Sequence, residues 1–415
     1  MACGSASPSL LDMPTEIQAL ILEQLDNVAT LKDVMLTCKA LHQTCVRFPL
    51  IKATIWTNKI SSDVLPWSIA ALTTGRKRRQ WFPYVHPWHA LKPFLDNRRD
   101  FVTSSLSSLP MAAYGELIRL HSVIEWLFAE FIETTVANVD SVDGYNYYKK
   151  HPLTPSETSR VYRAFYRLQV YCNVFRFARE NDDTAEKLSL FFDCESPWVN
   201  EQLVIARQIL YKDIGQFSMV VPRLTNTQEA KKLLADSPNW GFIAGELKDA
   251  GPDYMYPLTR AKSPRALVKR ILKIHSQFGL DVLSSLDVGT SQIQPLFEYS
   301  AEEMDEMCRS NSPCDLDSGP FESWFALHTF QRHSRMCALF EMMHPRDMGY
   351  VMWDKERLDR DRFLEKCQQK WETDKRFTPM TDGRTQDFPL VTRYPRWRDA
   401  PGDYNWYGDE VPANE

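Results

Sequence analysis

LLDMPTEIQALILEQLDNVATLKDVMLTCKALHQTCV, residues 10–46, is the stretch that decides the fold. Met13, Ile17, Leu20, Ile21, Leu25 and Val28 recur at three- and four-residue steps, the period of an α-helix. Pro14 suits the first helical turn, where its missing N–H costs nothing, and Glu16 then lies near the positive end of the helix dipole. At about 100° per residue these apolar positions span roughly 140°, and Leu22 widens the arc to roughly 200°, interrupted by Gln18 and Gln24. A helix docked on one core needs only about 100° of apolar stripe. The excess predicts a second apolar contact, either with the rest of the chain or with a partner.

Working outward, Thr30-x-x-Asp33 is a variant capping box and predicts a second helix from Thr30. On it Leu31, Val34, Met35, Cys38, Leu41 and Cys45 share one face. A third apolar piece, Pro49-Leu50-Ile51 to Ile55-Trp56, closes a unit over residues 1–56. Some 45 residues make a marginal core, so this unit is expected to lean on something else.

The ordered set of residues in 10–46 resembles an F-box. The family pattern runs Leu-x-x-Leu-Pro-x-Glu-Ile, then Ile, Leu, a loop, Leu-x-x-Leu and Cys-Lys. Here Leu10, Met13, Pro14, Glu16, Ile17, Ile21, Leu25, Leu31, Val34, Cys38 and Lys39 carry it, with Met13 and Val34 standing where the family has leucine. The resemblance covers about a tenth of the chain and implies that these residues bind the Skp-type adaptor of a cullin–RING ubiquitin ligase. Three later segments resemble, more loosely, the helical body of many fungal F-box proteins: LIRLHSVIEW (117–126), LTPSETSRVYRAFYRLQVYCNVF (153–175) and GYVMWDKERL (349–358).

The rest of the chain reads as helical too. Residues 61–73 predict a short helix, followed by a basic loop Gly75-Arg76-Lys77-Arg78-Arg79. WFPYVHPWH (81–89) is too rich in proline and aromatics for regular structure. Residues 112–136 predict a long helix that is apolar nearly all round through Leu117, Leu120, Ile124, Leu127, Phe128, Phe131 and Ile132, as at the centre of a bundle. Thr154-Pro155-Ser156-Glu157 combines a capping box with proline at the first helical position, a strong helix start. Further helical patterns occupy 198–213, 226–236, 264–278, 321–343 and 354–372. The segment from 378 is rich in Pro, Gly, Arg and aromatics. No alternating strands and no 20–50-residue repeat are visible.

Composition narrows the function classes. The 415 residues are 44% hydrophobic and 25% charged, with 49 Lys plus Arg against 54 Asp plus Glu, a net charge of −5. That is ordinary for a globular protein, and it lacks the basic excess of a nucleic-acid binder. MACGSASPSLLDMP has neither the basic residue nor the long apolar run of a secretory signal. No run approaches the ~18 apolar residues of a membrane span. Nine scattered cysteines and no Asn-x-Ser/Thr acceptor fit reduced thiols inside a cell, in cytoplasm or nucleus.

Candidate chemistry is sparse. Arg160, Arg163 and Arg167 lie at i, i+3 and i+7 on one helix face. They read either as an exposed face paired with nearby acids or as a substrate site for an acidic or phosphorylated peptide, since arginine forks hold phosphate. Arg76–Arg79 reads as a solvated loop or a nuclear localisation signal. Cys308, Cys314, His328, His333, Cys337 and His344 offer metal-ligand types, but in no standard zinc spacing. Cys337 and His121 sit among apolar neighbours and read as core. Asp315 to Gly319 hints at a calcium loop, yet the twelfth position is Ala326 and not glutamate. Phosphate-loop, nucleophile-elbow and His-Glu-x-x-His signatures are missing.

The expectation is therefore an all-α protein: an F-box unit over 1–56, a larger irregular helical body over 57–377 and a segment 378–415. Its expected role is the non-catalytic substrate-recognition subunit of an Skp–cullin–F-box ligase, holding a protein substrate on the body. No cofactor, metal, nucleic acid or membrane is expected. Two alternatives stand beside it: an F-box protein working with the adaptor outside the ligase, and a helical metal-binding or enzymatic domain using the His/Cys residues of 308–344.

Overall fold

The computed structural model describes residues 9–81 (except Asn27 and Pro49), 88–139, 151–175, 251–260, 317–329 and 343–363, Arg270, and short pieces between 186 and 210. The chain is all-α: among the described residues every regular element is a helix. The chain divides into two compact units, Met1–Ile124 and Glu125–Glu415. No helix among the described residues is long and apolar enough to cross a membrane.

The first unit opens with a 3-10 turn, Leu10–Asp12, closed by a reciprocal capping box. In it the Ser9 hydroxyl accepts from Leu11 N at 3.3 Å and Ser9 N donates to Asp12 Oδ2 at 3.1 Å. There follow α1 (Thr15–Leu22), α2 (Val28–Thr37), α3 (Lys39–Arg47), α4 (Ile51–Lys59), α5 (Leu65–Trp81), α6 (Trp88–Asp96), α7 (Arg98–Ser108) and the first half of α8 (Met111–Val139). Pro14 is the N-cap of α1, one position before the expected first turn. α2 begins two residues ahead of Thr30, so Thr30 and Asp33 lie inside it and do not cap it.

This core extends well past residue 56. Leu22, Leu31, Leu41 and Ile51 are buried together with Ile55, Trp56, Trp67, Leu91, Phe94 and Leu117. A core drawn from seven helices meets the need that some 45 residues alone cannot. The basic run is not a loop: Gly75–Arg79 belongs to α5, and Arg76 lies 4.0 Å from Glu116. A single glycine costs a helix interior only about 1 kcal/mol, which the buried Ile69, Ala70 and Leu72 ahead of it outweigh.

His121 is buried on α8, edge-on to Trp56 with ring centroids 5.4 Å apart. Burial, and secondarily the Lys59 charge, lower its pKa from 6.5 to about 4. The imidazole is therefore neutral in the fold. Its folded pKa lies below its unfolded one, so the stability tied to it is full above pH 6.5 and drains away as the pH falls toward 4. At pH 4.5 the loss is about 2 kcal/mol. Urea unfolding followed by tryptophan fluorescence at pH 7 and pH 4.5 checks this: the difference in unfolding free energy shrinks by about that amount in His121→Gln.

The second unit is organised on α9 (Pro155–Phe175), which is buried along nearly its whole length. α9 starts where the capping box places it: Glu157 N donates to Thr154 Oγ1 at 3.1 Å and Thr154 N to Glu157 Oε2 at 3.0 Å. Around it lie the second half of α8, the helical segment 198–210, α10 (Pro252–Thr259), α11 (Gly319–Thr329), α12 (Met343–Asp347), a 3-10 turn Tyr350–Met352 and α13 (Lys355–Arg360). Phe128 of α8 stacks on Tyr162 at 4.8 Å. Burial first, then the Glu125 carboxylate, push that tyrosine up to about 12.

Among the described residues two glycines stand at positive φ. Gly251, at φ +83°, precedes α10, and a Cβ there would lie 2.7 Å from Cys172 Cβ. Gln169 then grips the first turn of α10, donating to Asp253 Oδ1 at 3.0 Å and accepting from Asp253 N at 2.9 Å. Gly349, at φ +68°, turns the chain between α12 and the 3-10 turn, where a Cβ would meet the Phe131 ring at 2.9 Å.

The expected helix at 226–236, that at 264–278 apart from Arg270, and the segment 378–415 lie outside the described residues. Of 321–343 and 354–372, α11 and α13 are the described parts.

Candidate functional site

α1 points opposite to the way its apolar arc suggests. Its inward face is Gln18, Ala19 and Leu22, all buried. Its outward face is Ile17, Leu20 and Ile21, which are 42%, 57% and 40% exposed, and Leu11 in the preceding turn is 49% exposed. On a helical wheel Leu20, Ile17 and Ile21 fall within roughly 100°. These four large aliphatic side chains stand in solvent, as do Leu36, Val46 and Leu50 elsewhere in the unit.

Gln18 explains the inversion. A buried amide is tolerated only when hydrogen-bonded, and this one is. Its Nε2 donates to Met13 O at 2.9 Å, and its Oε1 accepts from the buried Thr44 hydroxyl of α3 at 2.7 Å. The side chain ties the turn before α1 to α3, which fixes Leu11 and α1 on one side of the unit. The rim is charged. Arg47 of α3 lies 3.4 Å from Glu16 and donates to Thr15 Oγ1 at 3.1 Å, all three at the surface or half-buried.

Of the residues that carry the F-box resemblance, Ile17, Ile21, Pro14, Glu16 and Lys39 are exposed, and Leu10, Met13, Leu25, Val34 and Cys38 are half-buried. Leu31 is core. Cys38 has a local role as the N-cap of α3, its sulfur accepting from Leu41 N at 3.5 Å. Leu11 and Leu20 belong to the exposed face and were not among the candidates. Leu20 sits three residues after Ile17, a spacing that already placed it on the same stripe.

The arginine stripe of α9 needs correction. Arg160, Arg163 and Arg167 are neither an exposed face nor open to a peptide: all three are buried within the second unit. Arg160 Nη1 donates to Asp354 Oδ1 at 2.6 Å and Met352 O at 3.2 Å. Arg163 donates to Gln202 Oε1 at 3.1 Å, and Gln202 passes the link on to Val351 O at 3.0 Å. Arg167 donates to Val199 O at 2.7 Å and Asn200 Oδ1 at 2.8 Å. Guanidinium forks here tie α9 to backbone carbonyls and polar side chains of segments distant in sequence. A second buried pair, Arg346 and Glu201, is bidentate, with one contact at 2.9 Å.

Cys308, Cys314, His333 and Cys337 lie outside the described residues, as do the side chains of His328 and His344. Among the described residues no group of three His, Cys, Asp or Glu side chains is placed to hold a metal. Compared with protein-family models, curated proteins and solved structures, the chain matches none.

Proposed function

We propose that this chain is an F-box protein, the non-catalytic substrate-recognition subunit of an Skp–cullin–F-box ubiquitin ligase. The adaptor binds α1 and the turn before it, and a protein substrate binds elsewhere on the chain. The observation that carries this is the exposed aliphatic face of Leu11, Ile17, Leu20 and Ile21, set in the segment whose residue order resembles an F-box. Seating such a face in an apolar groove is the common way an amphipathic helix is recognised, with apolar anchors at the centre and charged residues at the rim. Glu16 and Arg47 supply that rim. Work by proximity needs no reacting group on the receptor. Holding a substrate beside a ubiquitin-loaded enzyme raises its effective concentration, to the millimolar range for short tethers.

The test is co-purification of the full chain with a Skp-type adaptor. The expected result is a one-to-one complex that survives size-exclusion chromatography. A folded chain that forms no complex at micromolar protein overturns the proposal.

A further inference from the structure

The start of α9 holds a cluster that the adaptor-binding face does not use. Asp354, the residue before α13, receives three side-chain donors. Thr154 Oγ1 donates to its Oδ2 at 2.5 Å, Ser156 Oγ reaches the same oxygen at 2.9 Å, and Arg160 Nη1 donates to its Oδ1 at 2.6 Å. Asp317 Oδ1 stands 3.9 Å from Arg160 Nη2. The Asp354 carboxylate thus joins the Glu157–Arg357 pair in fastening residues 350–360 to the N-terminus of α9, and its share depends on two hydroxyl protons.

We propose that Thr154 is a phosphorylation site, and that its phosphate takes Arg160 from Asp354 and breaks the Asp354 link between residues 350–360 and α9, leaving the Glu157–Arg357 pair in place. Thr154 is followed by the exposed Pro155, the dipeptide that proline-directed kinases modify, and the residue before a proline is held extended. In the transfer the γ-phosphoryl group of a nucleoside triphosphate passes to Thr154 Oγ1. A new O–P bond forms and the bond from the γ-phosphorus to the bridging oxygen breaks. The nucleoside diphosphate leaves, and the hydroxyl proton goes to the kinase base.

The consequence is electrostatic. The modified residue has lost the proton it donated to Asp354 and gained about −1.5 to −2 of charge within hydrogen-bond distance of a carboxylate. The two anions compete for one cation. Phosphate is the stronger competitor, because its three oxygens match the guanidinium fork and the helix N-terminus favours negative charge. Ser156, whose Oγ is 2.9 Å from Thr154 Oγ1, turns its hydroxyl to the phosphate as well. Asp354 then loses all three side-chain donors at once.

The full chain is incubated with a proline-directed kinase and magnesium ATP, and phosphate is mapped by mass spectrometry in the wild type and Thr154→Ala. Ser263-Pro264 in the same chain reports that the kinase is active on it. The expected result is phosphate on Thr154, a melting temperature lower by roughly 3 °C or more, and recovery on phosphatase treatment. In Asp354→Asn, compared before and after phosphorylation, the fall is at most half as large. Phosphate at Ser263 with Thr154 unmodified overturns the proposal. So does phosphate on Thr154 with unchanged melting, or an undiminished fall in Asp354→Asn. The wild-type comparison stands whether or not the variant folds.

Discussion

Arg357→Ala is expected to destabilise the second unit by about 3–5 kcal/mol, the usual cost of removing one partner from a buried ion pair. Arg357 Nε and Nη2 each donate to the Glu157 carboxylate at 2.7 Å, and Glu157 is fully buried. The same guanidinium also reaches His151 O at 3.2 Å and Pro152 O at 2.9 Å. Truncation leaves a carboxylate in the interior with only the backbone donors of Thr154 and Asp354, at 3.0 Å each. The charge accounts for most of the loss. Replacing both partners, Glu157→Leu with Arg357→Met, is therefore expected to cost less than the sum of the two single changes. A double-mutant cycle by urea denaturation checks this, with a coupling of about 2 kcal/mol or more expected. Strict additivity would show that the pair acts only as packing.

The second large effect concerns binding. Ile17→Asp with Ile21→Asp is expected to lower the affinity for a Skp-type adaptor at least 100-fold, because two carboxylates cannot be desolvated in an apolar groove without partners. Each costs a few kcal/mol in such a contact, and about 1.4 kcal/mol is already tenfold. Both side chains stand in solvent on the free chain, so the circular dichroism spectrum and melting temperature are expected to stay near those of the wild type. Ala19→Asp, on the inward face of the same helix, is the contrast: it is expected to lose the fold along with the binding. Isothermal titration calorimetry on the three proteins separates the cases. Retained affinity in the double variant would remove α1 from the interface.

The sequence exposed some features readily and concealed others, for identifiable physical reasons. α8 and α9 were legible because long apolar periodicity and a capping box are local signals, and Thr154 and Glu157 make the very bonds their spacing announces. The stripe on α1 was legible as a stripe but not in its orientation. Gln18 looked like an interruption of the apolar face, whereas it is a satisfied core residue whose partner, Thr44, lies 26 residues on. The arginines of α9 misled for the same reason on a larger scale. Three arginines at i, i+3 and i+7 suggest solvent unless their acceptors are known. Those acceptors, Asp354, Gln202 and the Val199 carbonyl, lie 194, 39 and 32 residues away. Gly75 marked a helix end by propensity alone and was overruled by the core against which α5 packs.

The span of the Glu157–Arg357 pair bears on how the chain is made. Its partners are 200 residues apart, and at about 5–20 residues per second the ribosome takes roughly 10–40 s to supply the second after the first. For that interval Glu157 and Arg160 have emerged cut off from the groups at 352–357 that will satisfy them, while Arg163 and Arg167 meet Gln202 and Val199 within 39 residues. The apolar face of α9 is ready to collapse while the polar groups of its first turns have nothing to close on. A ribosome that stops before residue 357 releases a chain in which the Glu157 carboxylate lacks the guanidinium that neutralises it in the fold.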